Sequence, residues 1–369
     1  MSITRIGING FGRIGRQVFK ILWENHPELQ IAAIGVTDPT KTEVRAHLLE
    51  HDSTYGRFPH AVTANVSDHS NTLIVDDQDI PIIPRLDPHR TMGWGDYDID
   101  LVIDATGKCK YPEYAEEHLR EGAERVIITC PTDWADVMLV YGINHQDYDP
   151  YHHRVISSSS CTTTSLAPVS KALDDAFGLA EAFVTTVHSY TNSQSLLDST
   201  HKDPRRARAA GNNIIPTTTG AAKALDRVLP GLGSRIGAAA IRVPVQTVSM
   251  IDLVAHLKQP ATAHEVNEAF RAAADGSLRG ILSISDKPLV SSDYIGDEHS
   301  AIVDALSTTV AGQLVRVVAW YDNEWGYSCR VADLTAYIAR QEISTWMPEQ
   351  WAPAMVDADL AYTFDVPQQ

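Results

Sequence analysis

The feature that most constrains the fold is a glycine-rich turn near the amino terminus, between an apolar segment and a helical pattern. Residues 3–8 (ITRIGI) predict a short buried strand, and residues 17–23 (QVFKILW) predict a helix. Between them, Gly10, Gly12 and Gly15 form a G-x-G-x-x-G arrangement. Such glycines allow a tight turn, a close approach of backbone to a pyrophosphate, and close packing of helix on strand. The pattern predicts a dinucleotide site at the helix amino terminus.

The segments that follow fit the same type of domain. A second apolar segment, residues 31–36, ends before Asp38, whose carboxylate is placed to accept hydrogen bonds from the adenosine ribose. Residues 100–104 and 125–129 predict two further parallel strands, and cofactors bind at the carboxyl edge of such a sheet. The small or polar residues at these two strand ends are Thr106, Gly107 and Thr129. The alternative is a glycine-rich turn with an exposed carboxylate that binds nothing.

Length and charge limit the possible classes of protein. The 369 residues favour two domains. A net charge of −17, from 30 basic and 47 acidic residues, argues against nucleic acid or an anionic membrane as the main partner. We find no signal-peptide pattern and no apolar run long enough to span a membrane. The four cysteines lack metal-ligand spacing, which favours a reducing, cytoplasmic compartment and predicts no metal site.

A hydroxyl-rich segment with one cysteine precedes a predicted helix in the middle of the chain. Residues 157–165 read SSSSCTTTS, and residues 166–177 continue with helical periodicity. A cysteine at a helix amino terminus is favoured as the thiolate, which is a strong nucleophile toward carbonyl groups. The residues alone leave a second interpretation open for Cys161, because free cysteine is commonly a small buried core residue.

Further candidates for chemistry follow the cysteine. His188 comes after a predicted strand, residues 182–187, and is either a general base for the thiol or a solvated loop histidine. Residues 201–208 (HKDPRRAR) form a cluster of basic residues in an acidic chain. Three interpretations are open: the cluster binds a phosphate, lines a subunit contact, or is a solvated loop. Residues 216–220 (PTTTG) open a helix with three hydroxyls, and Arg242 ends an apolar strand. Both are candidate phosphate ligands.

Six motifs in this order resemble the phosphorylating glyceraldehyde-3-phosphate dehydrogenase family, from about residue 3 to residue 340. They are NGFGRIGR (9–16), HDSTYGRF (51–58), SSSSCTTTSLAP (157–168), NIIPTTTGAAKAL (213–225), IRVPVQTVSMIDL (241–253) and AWYDNEWGYSCRVADL (319–334). The resemblance implies an α/β fold: a doubly wound Rossmann-type NAD(P)-binding domain over residues 1–160 and an α+β catalytic domain with a mixed sheet over 161–327. It further implies that a helix over 328–341 returns to the first domain and that 342–369 form an extension.

The resemblance also implies roles for individual residues. Cys161 would attack the aldehyde of glyceraldehyde 3-phosphate to give a thiohemiacetal, His188 would take the thiol proton, and inorganic phosphate would attack the resulting thioester. The substrate phosphate would be bound by Thr191 and Arg242, and the attacking phosphate by Ser160, Thr162, Thr219 and Gly220. The cofactor would be bound by Gly10, Gly12, Arg13, Ile14, Gly15, Asp38, Thr106, Gly107, Thr129 and Asn323. A cytoplasmic homotetramer is implied, in which residues 201–208 reach toward a neighbouring cofactor site.

Cofactor and substrate choice leave alternatives open. Asp38 would repel a 2′-phosphate and so favours NAD. Ser199 and Thr200 stand where strictly NAD-dependent bacterial members of the family often carry Leu-Pro, and their hydroxyls would suit NADP. The alternatives for function are erythrose-4-phosphate dehydrogenase, an arsenate-linked member of the family, and a binding relative without catalysis. The intact set of predicted site residues argues against the last.

Overall fold

The computed structural model describes residues 3–67, 71–84, 93–108 and 111–346, with side chains to residue 341. The predicted extension over 342–369 lies outside the described residues, apart from the backbone of 342–346. The helices are α1 Arg13–Asn25, α2 Thr42–Glu50, α3 Pro112–Arg120, α4 Cys161–Phe177, α5 Ala221–Val228, α6 Ala263–Asp275 and α7 Trp325–Trp346. None of these helices combines the length and the apolar character needed to cross a membrane.

The first half of the described chain folds into a mostly parallel sheet. Its strands are β1 Thr4–Asn9, β2 Leu29–Val36, β5 Val62–Val66, β6 Asn71–Val75, β7 Gln78–Pro84, β8 Leu101–Asp104, β9 Arg125–Ile128, β10 Val137–Met138 and β11 Val155–Ser157, and a separate ribbon pairs β3 His51–Asp52 with β4 Gly56–Arg57. The order is β10-β11-β9-β8-β1-β2-β7-β6-β5. All pairs from β10 to β7 are parallel, whereas β5, β6 and β7 pair antiparallel. The predicted doubly wound sheet is confirmed.

The strand order reverses between β1 and β8, and this reversal determines where a ligand can bind. From β1 the chain moves outward to β2 and β7, and it then returns to β8 on the other side of β1. At the carboxyl ends of these two strands, Asn9 lies opposite Asp104 in the parallel register. A crevice at the carboxyl edge is expected at such a switch point. The glycine-rich turn follows directly after Asn9.

The second half folds into a mixed sheet. Its strands are β12 Leu179–Ser189, β13 Ile215–Thr217, β14 Ile236–Val243, β15 Ser249–Leu257, β16 Leu282–Ser285, β17 Ala301–Asp304, β18 Thr309–Ala311 and β19 Leu314–Tyr321. The order is β13-β14-β12-β15-β19-β17-β16, with β18 paired to β19. The β12–β14 and β16–β17 pairs are parallel and the other pairs are antiparallel. Helices α4 and α6 contribute Leu173, Val266 and Phe270 to the core of this sheet. The predicted mixed sheet is confirmed.

Helix α7 connects the second sheet back to the first. It starts four residues after β19 ends and packs against α1. Its Val331, Leu334 and Ile338 share one apolar core with Ile8 and Phe19 of the first half. The segment that carries Asp322 and Asn323 therefore lies between the two sheets.

Candidate active site

A cleft of about 870 Å³ opens where the carboxyl edge of the parallel sheet meets the mixed sheet. The predicted site residues that line it are Arg13, Ile14, Thr106, Gly107, Thr129, Ser160, Cys161, His188, Thr191, Arg242 and Asn323. These residues come from distant parts of the sequence. The fold brings them together because strand ends of both sheets and the amino termini of α1 and α4 face the same space.

The cysteine is the first residue of α4. The helix starts at Cys161, earlier than the predicted 166, and Ser160 caps it by accepting a hydrogen bond from the backbone of Thr163. Free N–H groups at a helix amino terminus stabilise negative charge nearby. The Cys161 Sγ lies 3.5 Å from the Nε2 of His188, so the cysteine and the candidate base are in direct contact.

The histidine lies within a strand. The predicted strand 182–187 continues to Ser189, because β12 pairs with β14 in a register that places His188 beside Arg242. Its Nδ1 is 2.8 Å from the carbonyl oxygen of Ser189, and Arg242 Nη1 donates to the same oxygen at 2.9 Å. Arg242 Nη1 also lies 2.5 Å from Nδ1. The carbonyl can only accept and the guanidinium can only donate, so the two contacts at Nδ1 favour opposite tautomers of the ring. In the tautomer that donates from Nδ1 to the Ser189 carbonyl, the Nε2 lone pair faces Cys161.

Burial and the neighbouring cation determine the charge state of this pair. Desolvation and the adjacent Arg242 guanidinium lower the pKa of His188 to about 3. Burial raises the pKa of the Cys161 thiol, against the lowering influence of Arg242 and of hydrogen bonds from Thr162. Both shifts favour the neutral forms, a thiol beside a neutral imidazole. This imidazole can accept the thiol proton when a substrate carbonyl approaches.

One end of the cleft offers hydrogen-bond donors suited to a phosphate. Arg242 is partly buried, and its Nε has no partner among the described residues. Thr191 lines the same wall, and its hydroxyl lies 3.0 Å from that of Ser193. A guanidinium beside two hydroxyls is a common arrangement for binding an anionic oxygen.

Three of the predicted phosphate ligands do not line the cleft. The Thr162 hydroxyl is buried and lies 3.0 Å from the Tyr321 hydroxyl, so only the backbone of Thr162 remains at the helix terminus. Thr219 and Gly220 lie at the start of α5, next to the start of α4, where Thr163 Oγ1 is 3.5 Å from the Ala221 carbonyl oxygen. The sequence does not predict where the Thr162 and Thr219 side chains point, because side-chain direction at a helix end depends on tertiary neighbours.

The glycine-rich turn has the geometry that a dinucleotide needs. Gly10 has φ +94°, and a Cβ on Gly15 would collide with the Gly10 carbonyl oxygen. Among the described residues, a Cβ on Gly12 would meet no atom within 4 Å, and no side chain caps α1. The open space above uncapped N–H groups fits a pyrophosphate. Asp38 lies two residues after the end of β2 and is half-buried, and its carboxylate accepts hydrogen bonds from the backbone and hydroxyl of Thr40.

The cleft is also lined by residues that the sequence motifs do not assign to the site, among them Glu324 and Tyr327. Glu324 forms a bidentate pair with Arg13, which also contacts Asp52 at 2.7 Å. The Tyr327 hydroxyl lies 2.8 Å from that of Ser158 and so supports the segment before Cys161. Glu324 and Tyr327 belong to the motif AWYDNEWGYSCRVADL, in which the resemblance gives a role only to Asn323. Their place in this motif is the one sequence feature that indicates a position near the site.

Comparisons with known proteins agree with this geometry. Residues 4–112 match the family model described as glyceraldehyde 3-phosphate dehydrogenase, NAD binding domain, and residues 160–323 match the model of the C-terminal domain of the same family. Glyceraldehyde-3-phosphate dehydrogenase of Geobacillus stearothermophilus is 50% identical over 91% of this chain and 98% of its own length. Glyceraldehyde-3-phosphate dehydrogenase 1 of Bacillus subtilis (strain 168) is 49% identical over 92% and 99%. The homologue of Streptomyces coelicolor is 46% identical over 91% and 99%. Together with the thiol–imidazole contact and the glycine-rich turn, these matches place the chain in the glyceraldehyde 3-phosphate dehydrogenase family.

Proposed function

We propose that this protein oxidises glyceraldehyde 3-phosphate to 1,3-bisphosphoglycerate, with NAD as cofactor and inorganic phosphate as co-substrate. The observation that carries this proposal is the 3.5 Å contact between the Cys161 Sγ and the His188 Nε2 at the amino terminus of α4. The names of the three relatives above support the same substrate, and their identity of 46–50% extends over nearly their whole length. None of these names favours the tetrose phosphate or an arsenate-linked role.

The chemistry follows from the positions of the two side chains. As Cys161 Sγ bonds to the aldehyde carbon, His188 Nε2 accepts the thiol proton, and the N–H groups at the start of α4 stabilise the developing oxyanion. NAD, when bound, supplies the acceptor for the hydride that the thiohemiacetal loses. Inorganic phosphate attacks the carbonyl carbon of the resulting thioester, the carbon–sulfur bond breaks, and the acyl phosphate leaves. The expelled Cys161 thiolate takes back the proton that His188 accepted in the first step. Arg242 and Thr191 hold the substrate's own phosphate during both steps.

The binding residues divide into two sets. The cofactor is held by the turn that contains Gly10, Gly12, Arg13, Ile14 and Gly15, by Asp38, and by Thr106, Gly107, Thr129 and Asn323. The attacking phosphate is held by Ser160, the backbone of Thr162, Thr219 and Gly220. Arg206 joins this second set, because its Nε donates to Thr217 Oγ1 at 2.7 Å beside the start of α5.

The proposal includes a division into domains and an assembly. Residues 1–160 bind the cofactor, residues 161–327 carry the catalytic pair, and α7 packs back on the first domain. We infer a cytoplasmic homotetramer in which the loop around residues 201–208 contacts a neighbouring subunit. Support comes from large apolar side chains exposed on or near that loop: Leu196, Leu197 and Ile214 are 87%, 74% and 71% exposed. Light scattering after size-exclusion chromatography tests the assembly.

Initial rates test the activity. NAD and NADP are each combined with phosphate, arsenate or neither anion, with glyceraldehyde 3-phosphate or erythrose 4-phosphate as substrate, and Cys161→Ser is the control. We expect phosphate-dependent NAD reduction with the triose, and no reduction by the variant. Equal rates without an anion would contradict a phosphorylating enzyme. Turnover of the tetrose alone would move the assignment to the sister activity, and reduction of NADP at a similar rate would show dual cofactor use.

A further inference from the structure

Two buried serine hydroxyls hold the Asn323 side chain in a single orientation. Ser189 Oγ and Ser249 Oγ donate to Asn323 Oδ1 at 2.9 Å and 2.8 Å. All three residues are at most 5% exposed, and Asn323 forms part of the cleft wall. They meet because β12 ends at Ser189, β15 begins at Ser249, and β19 ends two residues before Asn323.

The direction of these hydrogen bonds is determined by a further contact. Ser249 Oγ accepts the backbone N–H of Ser189 at 3.1 Å, so its own proton is available for Asn323 Oδ1. The amide oxygen has two lone pairs and receives two hydroxyl protons, which saturates it. A flipped amide would leave the Ser189 hydroxyl proton without this acceptor and the Ser249 hydroxyl with only the longer contact to Ser189 Oγ at 3.5 Å. The Nδ2 donor, which has no partner among the described residues, therefore faces the cleft.

The backbone before Ser249 shows that this arrangement is held against strain. Val248 has φ +65°, a left-handed conformation that is a genuine outlier for a β-branched residue, and its side chain is buried. Val248 lies between Thr247 and Ser249, and the hydroxyl groups of these two residues bond to Asp322 and Asn323, which are also neighbours in the chain. Thr247 Oγ1 donates to Asp322 at 3.1 Å, and Ser249 Oγ donates to Asn323. Strain of this kind persists only where the surroundings determine it, and it is concentrated at functional sites.

We propose that Ser189 and Ser249 are positioning residues that fix the Asn323 amide so that its Nδ2 receives the carboxamide oxygen of the nicotinamide. The inference rests on the proposed function, since it assumes that NAD binds in this cleft. It assigns to Ser189 a second task besides the carbonyl contact with His188. A ring anchored through its carboxamide stays at one angle to the Cys161 sulfur.

Equilibrium binding of two ligands to the cofactor-free protein tests the proposal. NAD carries the nicotinamide, whereas ADP-ribose has the same adenosine and pyrophosphate without it. For Ser249→Ala we expect the Kd for NAD to rise about 2- to 12-fold, because one neutral orienting hydrogen bond is lost, with the Kd for ADP-ribose unchanged. Ser249→Thr keeps a hydroxyl and should restore NAD affinity. The exposed Ser234 provides the matched control, Ser234→Ala, which should change neither Kd.

The possible results separate the two proposals. If Ser249→Ala binds NAD as tightly as the wild type, or weakens NAD and ADP-ribose equally, the positioning role is wrong. If the wild type binds neither ligand, the proposed function itself fails. Thermal unfolding of each variant identifies a folding defect. If Ser249→Ala has such a defect, Ser189→Ala with the same pair of ligands provides a second test of whether the serine hydroxyls position Asn323.

Discussion

Gly12 and Gly15 provide a way to separate cofactor binding from folding in the glycine-rich turn. A Cβ on Gly15 would collide with the Gly10 carbonyl oxygen, and the Gly10 backbone is held in place by the hydrogen bond from its N–H to the Gly35 carbonyl oxygen at 2.8 Å. Such overpacking costs about 1–3 kcal/mol, so Gly15→Ala should lower the free energy of unfolding by that amount. A Cβ on Gly12 meets no atom within 4 Å in the part of the chain that the structure describes, and the φ of −83° suits alanine. Gly12→Ala should therefore cost only about 0.5 kcal/mol, from the poorer helix cap.

For cofactor binding we expect the opposite order, so that Gly12→Ala weakens NAD binding more than Gly15→Ala does. If the pyrophosphate occupies the open space above Gly12, a methyl group there removes one or two charge-assisted hydrogen bonds worth about 1.5–3 kcal/mol each. NAD affinity of Gly12→Ala should then fall by about 10- to 100-fold or more. Urea unfolding and fluorescence titration with NAD measure the two quantities on the same samples. Unchanged NAD affinity in Gly12→Ala, with normal stability, would refute the placement of the pyrophosphate at this turn.

Three further predictions concern the helix cap of α6 and the catalytic pair. Thr262 and Glu265 form a reciprocal capping box, so Thr262→Ala should lower the free energy of urea unfolding by about 1 kcal/mol and leave initial rates unchanged. Because burial raises the pKa of the Cys161 thiol, its alkylation by iodoacetamide in the cofactor-free protein should accelerate steadily up to alkaline pH; a rate that is constant from pH 5 upward would contradict the neutral pair. His188 has a pKa of about 3 in the folded protein and about 6.5 when unfolded, so between these values only the unfolded state binds the proton, and stability falls as the pH is lowered. Between pH 7 and pH 5 this loss is about 2 kcal/mol, and His188→Gln should show a correspondingly smaller drop in urea unfolding.

The sequence predicted the parts of the site that depend on local pattern. The turn of Gly10, Gly12 and Gly15 was predictable because strand, glycines and helix are adjacent in the chain. The position of Cys161 at a helix start was also predicted, but the helix begins five residues earlier than the apolar periodicity indicated. Ser160 and the threonines after Cys161 have modest helix propensity, and the cap and buried contacts with Tyr321 outweigh it.

Contacts between distant segments were not predictable in the same way. Arg13 pairs with Asp52 and Glu324, which are 39 and 311 residues away in the chain. The two hydroxyls that hold Asn323 come from strands that begin or end more than 70 residues before it. Neither set has a local pattern, because only the packing of the two sheets and α7 determines which side chains meet. A resemblance indicates which residues matter, but the side-chain directions follow from this packing.

The register of one strand pair explains why the catalytic geometry and the charge state arise together. In the parallel pairing of β12 with β14, His188 lies beside Arg242, and both side chains contribute to the cleft. Side chains alternate along a strand, so a shift of one residue in β12 would turn His188 to the opposite face. The same register that aims Nε2 at Cys161 also places a guanidinium against the imidazole and keeps it neutral. If His188 is the base that the proposed function requires, the register of β12 with β14 therefore determines both its distance from the cysteine and its charge state.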